Sequence, residues 1–453
     1  MRKKLLLINP HNASRATMAL NRNVRFPSLG LGIVAALTPA EWEIEILDEN
    51  FTPFSFQEAD LVGLTGYTPS INRAYQIAQT YRAKGIPTVL GGIHASMRPE
   101  EALGFVDAVV IGEAESVWPQ VMADVESGRL QKTYVGTPLD LANAIRPRRD
   151  LFDRRYGWGT IQTARGCPMD CEFCSVTVFN GHRYRQRPVE DVLDELETIP
   201  QKRLFFADDN IIGISKESQE RALALFDGMI RRKIRKPWLC QASMNFADNE
   251  EVVKAAARAG CRMVLIGVEA EDPTALLELN KKLNVQRLRR SYEETFRRIN
   301  RHGIAILGAF IYGMDSDNVE ALRRRVDYVL RSPIDVMQTT WLTPLPGTRL
   351  FRKLEAEQRL FYTDFPADWD RYDMMELTHR PLAIEPRDVA AAGHEIVHRL
   401  YSRGTILRKF AGTLRHTRNL TAALWSLDAN RCYRRIAVKV KGADYEGHSD
   451  KFR

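Results

Sequence analysis

Arg165-Gly166-Cys167-Pro168-Met169-Asp170-Cys171-Glu172-Phe173-Cys174 sets three cysteines at spacing C-x3-C-x2-C. The other cysteines, Cys240, Cys261 and Cys432, are isolated, and none precedes Cys167. Thiolates are the soft ligands that iron–sulfur clusters take. Three on one tight loop hold three corners of a cubic cluster and leave the fourth iron open to an external ligand. The competing chemistry is structural zinc, which takes four protein ligands in paired knuckles. No second knuckle exists, and His182 alone would have to complete the set. The ligand count favours the cluster. The cysteine pattern also fits a reducing cytoplasm better than a disulfide framework.

Around this loop, residues 156–345 alternate strand and helix patterns. Thr160–Ala164, Arg203–Ala207, Trp238–Ala242, Met263–Ile266, Ala305–Ile311 and Val336–Trp341 read as strands. Val189–Leu196, Ser218–Arg232, Asn249–Ala259, Arg287–Arg301 and Val319–Leu330 read as helices. Six such units predict a partial (β/α)6 TIM barrel with its active site at the C-terminal strand ends. The cysteine loop leaves the first of these strands at that end. Cys240, mid-strand among apolar neighbours, reads as core.

The loop and its strand context resemble the radical S-adenosylmethionine (SAM) enzymes, whose SAM occupies the open iron of a 4Fe-4S cluster. The resemblance implies that Cys167, Cys171 and Cys174 ligate the cluster and that Phe173 lies against the adenine. Arg165 and the loop amides would tune the cluster. Phe205-Phe206-Ala207-Asp208-Asp209-Asn210 stands where that family has its glycine-glycine-glutamate strand. Asp208 and Asp209 would accept from the SAM amino group, or cap the following helix. Gln241, Ser243 and Gly267-Val268-Glu269 would approach the ribose and carboxylate, with Glu269 the preferred ribose contact. Gly308 and Gly313 would leave room for adenine. For His182, Arg183, Tyr184 and Arg185 a solvated turn competes with substrate-facing roles.

Ahead of the barrel, residues 1–125 also alternate. Lys4–Ile8, Glu43–Leu47, Leu61–Thr65, Thr88–Leu90 and Ala108–Ile111 read as strands. Gly30–Leu37, Asn72–Lys84 and Ser116–Glu126 read as helices. This predicts a Rossmann-like, doubly wound parallel sheet binding a ligand beyond its C-terminal strand ends. Thr65-Gly66, Gly91-Gly92 and Gly112-Glu113 fall at those ends, where glycine lets backbone approach a ligand. Pro27–Gly32, Leu90–Ala95, Pro99–Leu103 and Gly112–Glu115 resemble the cobalamin-binding domain of one large radical SAM subfamily. The D-x-H-x-x-G cobalt-ligating loop of the mutases is absent, and many subfamily members lack it. His94, after a strand end, is a ligand candidate or a structural group.

The expected domains are a cobalamin-binding-like unit (1–130), a linker (131–155), the barrel (156–345) and a helical basic region (346–453). Net charge is +8. From residue 401 on, twelve Lys/Arg stand against four Asp/Glu, so this tail carries the whole surplus. It is either a solvated extension packed on its neighbour or a candidate for peripheral contact with an anionic membrane. No nucleic-acid partner is expected, and no run is long and apolar enough to span a bilayer.

The resemblance implies a cytoplasmic enzyme that draws one electron from a reductant such as flavodoxin or ferredoxin. SAM cleaved at the cluster gives a 5′-deoxyadenosyl radical that abstracts hydrogen from an unactivated carbon. With cobalamin present, a methyl group is delivered to that carbon in a small or lipid-like substrate. Radical rearrangement, cyclisation or oxidation is the alternative, and a non-catalytic sensor a weaker one. Methylthio transfer to RNA would need a second three-cysteine site, which the chain lacks.

Overall fold

The computed structural model describes residues 2–11, 25–288 and 291–440. The last stretch of the basic tail, 441–453, lies outside the described residues. The expected architecture is present: two parallel sheets in succession, followed by helices.

The first sheet holds β1 (Lys4–Asn9), β2 (Glu43–Asp48), β3 (Leu61–Thr65), β4 (Thr88–Gly91), β5 (Ala108–Ile111) and β6 (Thr133–Val135). Its order is β2-β1-β3-β4-β5-β6, with every pair parallel. Alternation along β1 feeds two cores. Leu5 and Leu7 meet Leu31, Trp42 and Trp118, which lie on or beside α1 (Leu29–Leu37) and α5 (Trp118–Glu126). Leu6 and Ile8 join Tyr75, Ala78 and Tyr81 of α2 (Ile71–Arg82) on the opposite face. Each such fully buried side chain contributes about 1.5–3 kcal/mol of transfer free energy. Two short helices, α3 (Ile93–Met97) and α4 (Pro99–Leu103), follow β4. The sheet ends at Val135, beyond the expected boundary at 130, because β6 pairs with β5.

The second sheet holds β7 (Gly159–Ile161), β10 (Leu204–Phe206), β11 (Trp238–Ala242), β12 (Cys261–Glu269), β13 (Ala305–Tyr312) and β14 (Val336–Trp341). They run parallel in the order β14-β13-β12-β11-β10-β7. The expected strand Thr160–Ala164 is split. Thr163 and Ala164 give their amides to Asp208, and the chain leaves the sheet. It returns as a separate ribbon, β8 (Ala164–Arg165) with β9 (Arg185–Gln186). The outer layer comprises α7 (Val189–Thr198), α8 (Lys216–Arg231), α9 (Glu250–Arg258), α10 (Pro273–Glu278), α11 (Lys282–Leu288), α12 (Tyr292–Asn300) and α13 (Val319–Arg331), while α6 (Ser175–Asn180) lies between β8 and β9. The expected helix from Arg287 begins at Tyr292.

The C-terminal region is divided between the two sheets. After α14 (Arg349–Ala356), Trp369 and Tyr372 join the core of the first sheet together with Phe351. Trp369 Nε1 donates to Glu101 at 2.9 Å. By contrast, α15 (Pro386–Leu400), α16 (Arg403–Thr417) and α17 (Leu420–Val440) belong to the barrel. Ala422 of α17 packs on Met263, Ala305 and Val336, near the N-terminal strand ends. Trp425 stacks edge-on against Trp158, just before β7, at 4.8 Å. Among the described residues no helix is long and apolar enough to cross a membrane.

Candidate active site at the cysteine loop

The cysteine loop is the excursion between β8 and β9. Gly166 opens it at φ +87°, where a Cβ would sit 2.2 Å from the Arg183 carbonyl oxygen. Only glycine starts the loop without displacing the backbone that leads into β9. The Cys167 amide donates to Gly181 O at 3.3 Å, and the Cys174 amide to Cys171 O at 3.3 Å. Arg349 grips the outer edge, pairing with Asp170 at 2.6 Å and Glu172 at 3.0 Å. The Glu172 amide donates to Leu279 O at 3.2 Å.

All three thiols are half-buried. Burial pushes Cys171 up to about 11 and raises Cys167 and Cys174, while the Lys281 ammonium pulls each the other way. Loading with metal therefore displaces protons from them. Among the described residues, no group of three or more His, Cys, Asp or Glu is arranged to hold a single metal ion. His182, which zinc would need, is exposed. Three thiols along one loop suit separate corners of a cluster better than the shell of one ion.

The two adjacent acids after β10 have separate environments. Asp208 is fully buried, with one carboxylate oxygen accepting from the Thr163 and Ala164 amides and the other from Thr163 Oγ1 at 2.7 Å. It ties β10 to the exit of β7. This corrects the expected cofactor contact, since no oxygen of Asp208 faces out of the protein. Asp209 is the acid near the cysteines, within electrostatic reach of Cys167 and Cys174. Asn180 Nδ2 donates to its carboxylate at 3.2 Å. Burial pushes Asp209 up to about 6, with Asn180 opposing and Asp208 adding to the rise.

A carboxyl raised in the folded state costs stability once pH exceeds its unfolded value of about 3.9, and the cost is complete above the folded value. Asp209→Asn is therefore expected to stabilise the cluster-free protein at pH 7 by roughly 2–3 kcal/mol. Melting curves should show the gain shrinking as pH falls from 7 to 5. Equal or lower stability at pH 7 would contradict this placement of Asp209.

Farther round the mouth, Gln241 Nε2 reaches Asp208 O at 3.4 Å, and Ser243 Oγ accepts from Asn210 Nδ2 at 3.1 Å. At the end of β12 a bulge at Val268 re-aims Glu269, which has φ +62°. Its carboxylate pairs with Lys281 Nζ at 2.7 Å. Lys281 also stands 5.8 Å from the centroid of the Phe173 ring. Burial disfavours the ammonium, but Glu269, Cys171 and Cys174 hold it well above the usual lysine range. Motif reading missed Lys281. Its only local signal is a lysine pair, Lys281-Lys282, at a helix start. Gly308 leaves no room for adenine, because a Cβ there would meet Ile334 at 3.0 Å. A Cβ on Gly313, at φ +88°, would meet Leu377 at 2.9 Å.

At the first sheet, Thr65 and Gly91 are in register at adjacent strand ends. Gly66, Gly92 and Gly112 serve protein packing. Added Cβ atoms would meet Ile71 at 2.7 Å, Thr65 Oγ1 at 2.7 Å and Gly136 O at 2.8 Å. Gly91 meets nothing nearer than 3.8 Å and keeps an open approach. Glu113 is likewise not free for a ligand. It takes Arg165 at 3.0 Å, the Leu139 amide at 2.7 Å and a close pair with Arg185. Burial opposes ionisation, yet Arg185 and Arg165 hold its carboxyl below the usual range. Arg165 also pairs with Glu115 at 2.6 Å, so it locks the fold rather than standing free to tune the cluster. The residues on either side of the cysteine loop are thus clamped to the end of β5. The small-residue strand ends of the first sheet are held next to that loop.

His94 is a structural group. It is fully buried, Nδ1 lies 3.1 Å from Thr68 Oγ1, and Nε2 lies 3.3 Å from Glu101. His11, two residues beyond β1, is another histidine at this end. Burial and Arg25 hold its pKa below the usual value. Backbone and small residues such as Gly91 would leave a large cofactor an open approach at these strand ends, and the buried His94 would not serve as its ligand. Of the residues after the loop, His182 and Arg183 are exposed, Tyr184 donates to Asn210 O at 2.6 Å and Arg185 is taken by Glu113.

Residues 16–122 match the B12 binding domain and residues 161–329 the radical SAM superfamily. The chain is 30% identical over 430 residues to bacteriochlorophyllide d C-12(1)-methyltransferase of Chlorobaculum tepidum, covering 91% of this chain and 90% of that relative. It is 28% identical over 351 residues to hopanoid C-2 methylase of Rhodopseudomonas palustris, covering 75% and 66%. Among solved structures, the radical S-adenosylmethionine methyltransferase TsrM from Kitasatospora setae, with cobalamin and a 4Fe–4S cluster bound, superposes with a TM-score of 0.69. At 19% identity, covering 98% of this chain and 100% of that one, it establishes the shared fold. Both halves of the site and a relative aligned along nearly the whole of each chain agree: this enzyme belongs to the radical SAM superfamily, in the branch that carries a B12 binding domain.

Proposed function

We propose that the chain is a cobalamin-dependent methyltransferase that modifies an unactivated carbon of a small or lipid-like substrate. The observation that carries this reading is the clamp of Arg165 and Arg185 on Glu113, which fixes the open strand ends of the first sheet beside the cysteine loop. The methyltransferases matched along the chain support it. When bound, the cluster and cobalamin supply one-electron chemistry on SAM and delivery of a methyl group.

The chain's own residues do the placing. Cys167, Cys171 and Cys174 hold three irons. Asp209 accepts from the SAM amino group, and Phe173 flanks the adenine. Gln241, Ser243 and Glu269 line the mouth toward the ribose, with Lys281 holding Glu269 in position. Thr65 and Gly91, at the open strand ends, would hold the cobalamin. The first sheet to Val135 acts as the cobalamin unit, 159–341 as the SAM unit, and the remaining helices as their braces. The enzyme works in the reducing cytoplasm with a one-electron donor such as flavodoxin or ferredoxin.

The test is anaerobic reconstitution with iron, sulfide and cobalamin, followed by SAM and a chemical reductant. A visible iron–sulfur band, retained corrin and formation of 5′-deoxyadenosine are expected. Absence of the band or of 5′-deoxyadenosine would overturn the radical reading, and failure to retain corrin would overturn the methyl-transfer reading.

A further inference from the structure

The outer helices have an inverted pattern. On α16 the buried residues are Ile406 and a polar stripe of Thr405, Lys409, Thr413 and Thr417, spaced four apart. Lys409 Nζ donates inward to the carbonyls of Val329, Ser332 and Ile334 at 2.8, 3.0 and 2.8 Å. Thr413 and Thr417 return their hydroxyls to the helix's own carbonyls at 2.8 and 2.7 Å. The opposite stripe carries the leucines. Leu407 is 60% exposed and Leu414 40%. The outward side of α17 repeats this, with Leu420 60% and Leu424 49% exposed. An ordinary surface helix buries its leucines and shows its threonines and lysine.

Charge accompanies the leucines. Arg403, Arg408 and Arg415 of α16, Arg418 just after it, and Arg431 and Arg435 of α17 are exposed. No Asp or Glu occurs between Glu395 and Asp428. The hairpin is also firmly based. Ser426 Oγ and Asn430 Nδ2 both donate to Asp335 O at 2.8 Å, and Trp425 stacks on Trp158. Its outward leucines are therefore held in place by the barrel.

We infer that the α16–α17 face docks on an anionic lipid surface, with the four leucines in the acyl boundary and the arginines at the headgroups. Leucines among arginines, without acids, are the composition of an interfacial helix. A second copy of this face would oppose like charges across a two-fold axis. A nucleic acid would call for aromatic or polar groups where the leucines stand. Each arginine near an anionic bilayer strengthens partition about fivefold. The inference stands independently of the chemistry proposed for the cysteine loop.

Flotation of the full chain tests it, using vesicles of phosphatidylcholine alone and of phosphatidylcholine mixed with phosphatidylglycerol. Flotation with the mixed vesicles and its loss at high salt are expected. Leu407→Glu with Leu414→Glu, and separately Leu420→Glu with Leu424→Glu, should lower the bound fraction about tenfold or more. Melting curves should stay unchanged, since those side chains point outward. No flotation of the natural chain, or flotation unaffected by both leucine pairs, would overturn the inference. So would a dimer in solution that the same substitutions split, which would assign the face to a second copy.

Discussion

Cys171→Ala is expected to abolish SAM cleavage, lowering 5′-deoxyadenosine formation by more than about a thousandfold. The reconstituted variant should also lose its visible iron–sulfur band. The effect is large because loop geometry offers no substitute ligand. His182 is exposed, and Cys240 and Cys261 are buried inside the barrel wall. Two thiolates leave two irons open, and the cluster loses the single free corner that SAM needs. Cys240→Ala is the matched control. It removes a fully buried core thiol and should cost about 1 kcal/mol of stability while cleavage persists. Cleavage retained by Cys171→Ala, measured by chromatography under anaerobic conditions, would refute the cluster assignment.

Both sheets were legible because parallel strands covered on two faces show as apolar runs. Leu5–Ile8 and Leu61–Leu64 are such runs, and both are buried throughout. The cysteine loop was legible because its spacing is local and its chemistry demanding. What could not be read were pairings between residues far apart in the chain. Glu113 looks like a free acid at a strand end, yet Arg185, 72 residues away, takes it. Trp369 looks like part of a helical tail, yet it completes the first sheet's core through Glu101, 268 residues away. Gly308 looked like space for a ligand until Ile334, from the loop before β14, filled it. Asp208 and Asp209 stand side by side after β10. Their roles divided only once the Thr163 turn, 45 residues earlier, claimed the first of them. The tail's composition was ambiguous because amphipathicity does not say which face turns inward. Lys409 decided that by reaching three barrel carbonyls.

The Lys281–Glu269 pair is expected to show the largest stability effect near the site. Glu269 is buried, carries a left-handed backbone and has Lys281 Nζ at 2.7 Å. Lys281→Met leaves that carboxylate without its cation and should destabilise the protein by about 3–5 kcal/mol, measured by denaturant unfolding. Glu269→Gln alone strands the ammonium and should cost a similar amount. The double variant removes both charges, so its loss should be well below the sum of the two single losses. The pH dependence follows from the raised pKa of Lys281. A lysine held above its unfolded value of about 10.4 contributes in full below that pH and loses the contribution as pH rises through the folded value. The gap between the natural protein and Lys281→Met should therefore stay constant from pH 7 to 9. Additive single losses would mean that the two side chains act separately. A gap that closes between pH 7 and 9 would mean that Lys281 is not held as a cation. If the pair behaves as a unit, β12's bulge and the start of α11 form one rigid wall of the mouth. Phe173 and the thiols then face a fixed positive charge that the three-cysteine motif alone does not reveal.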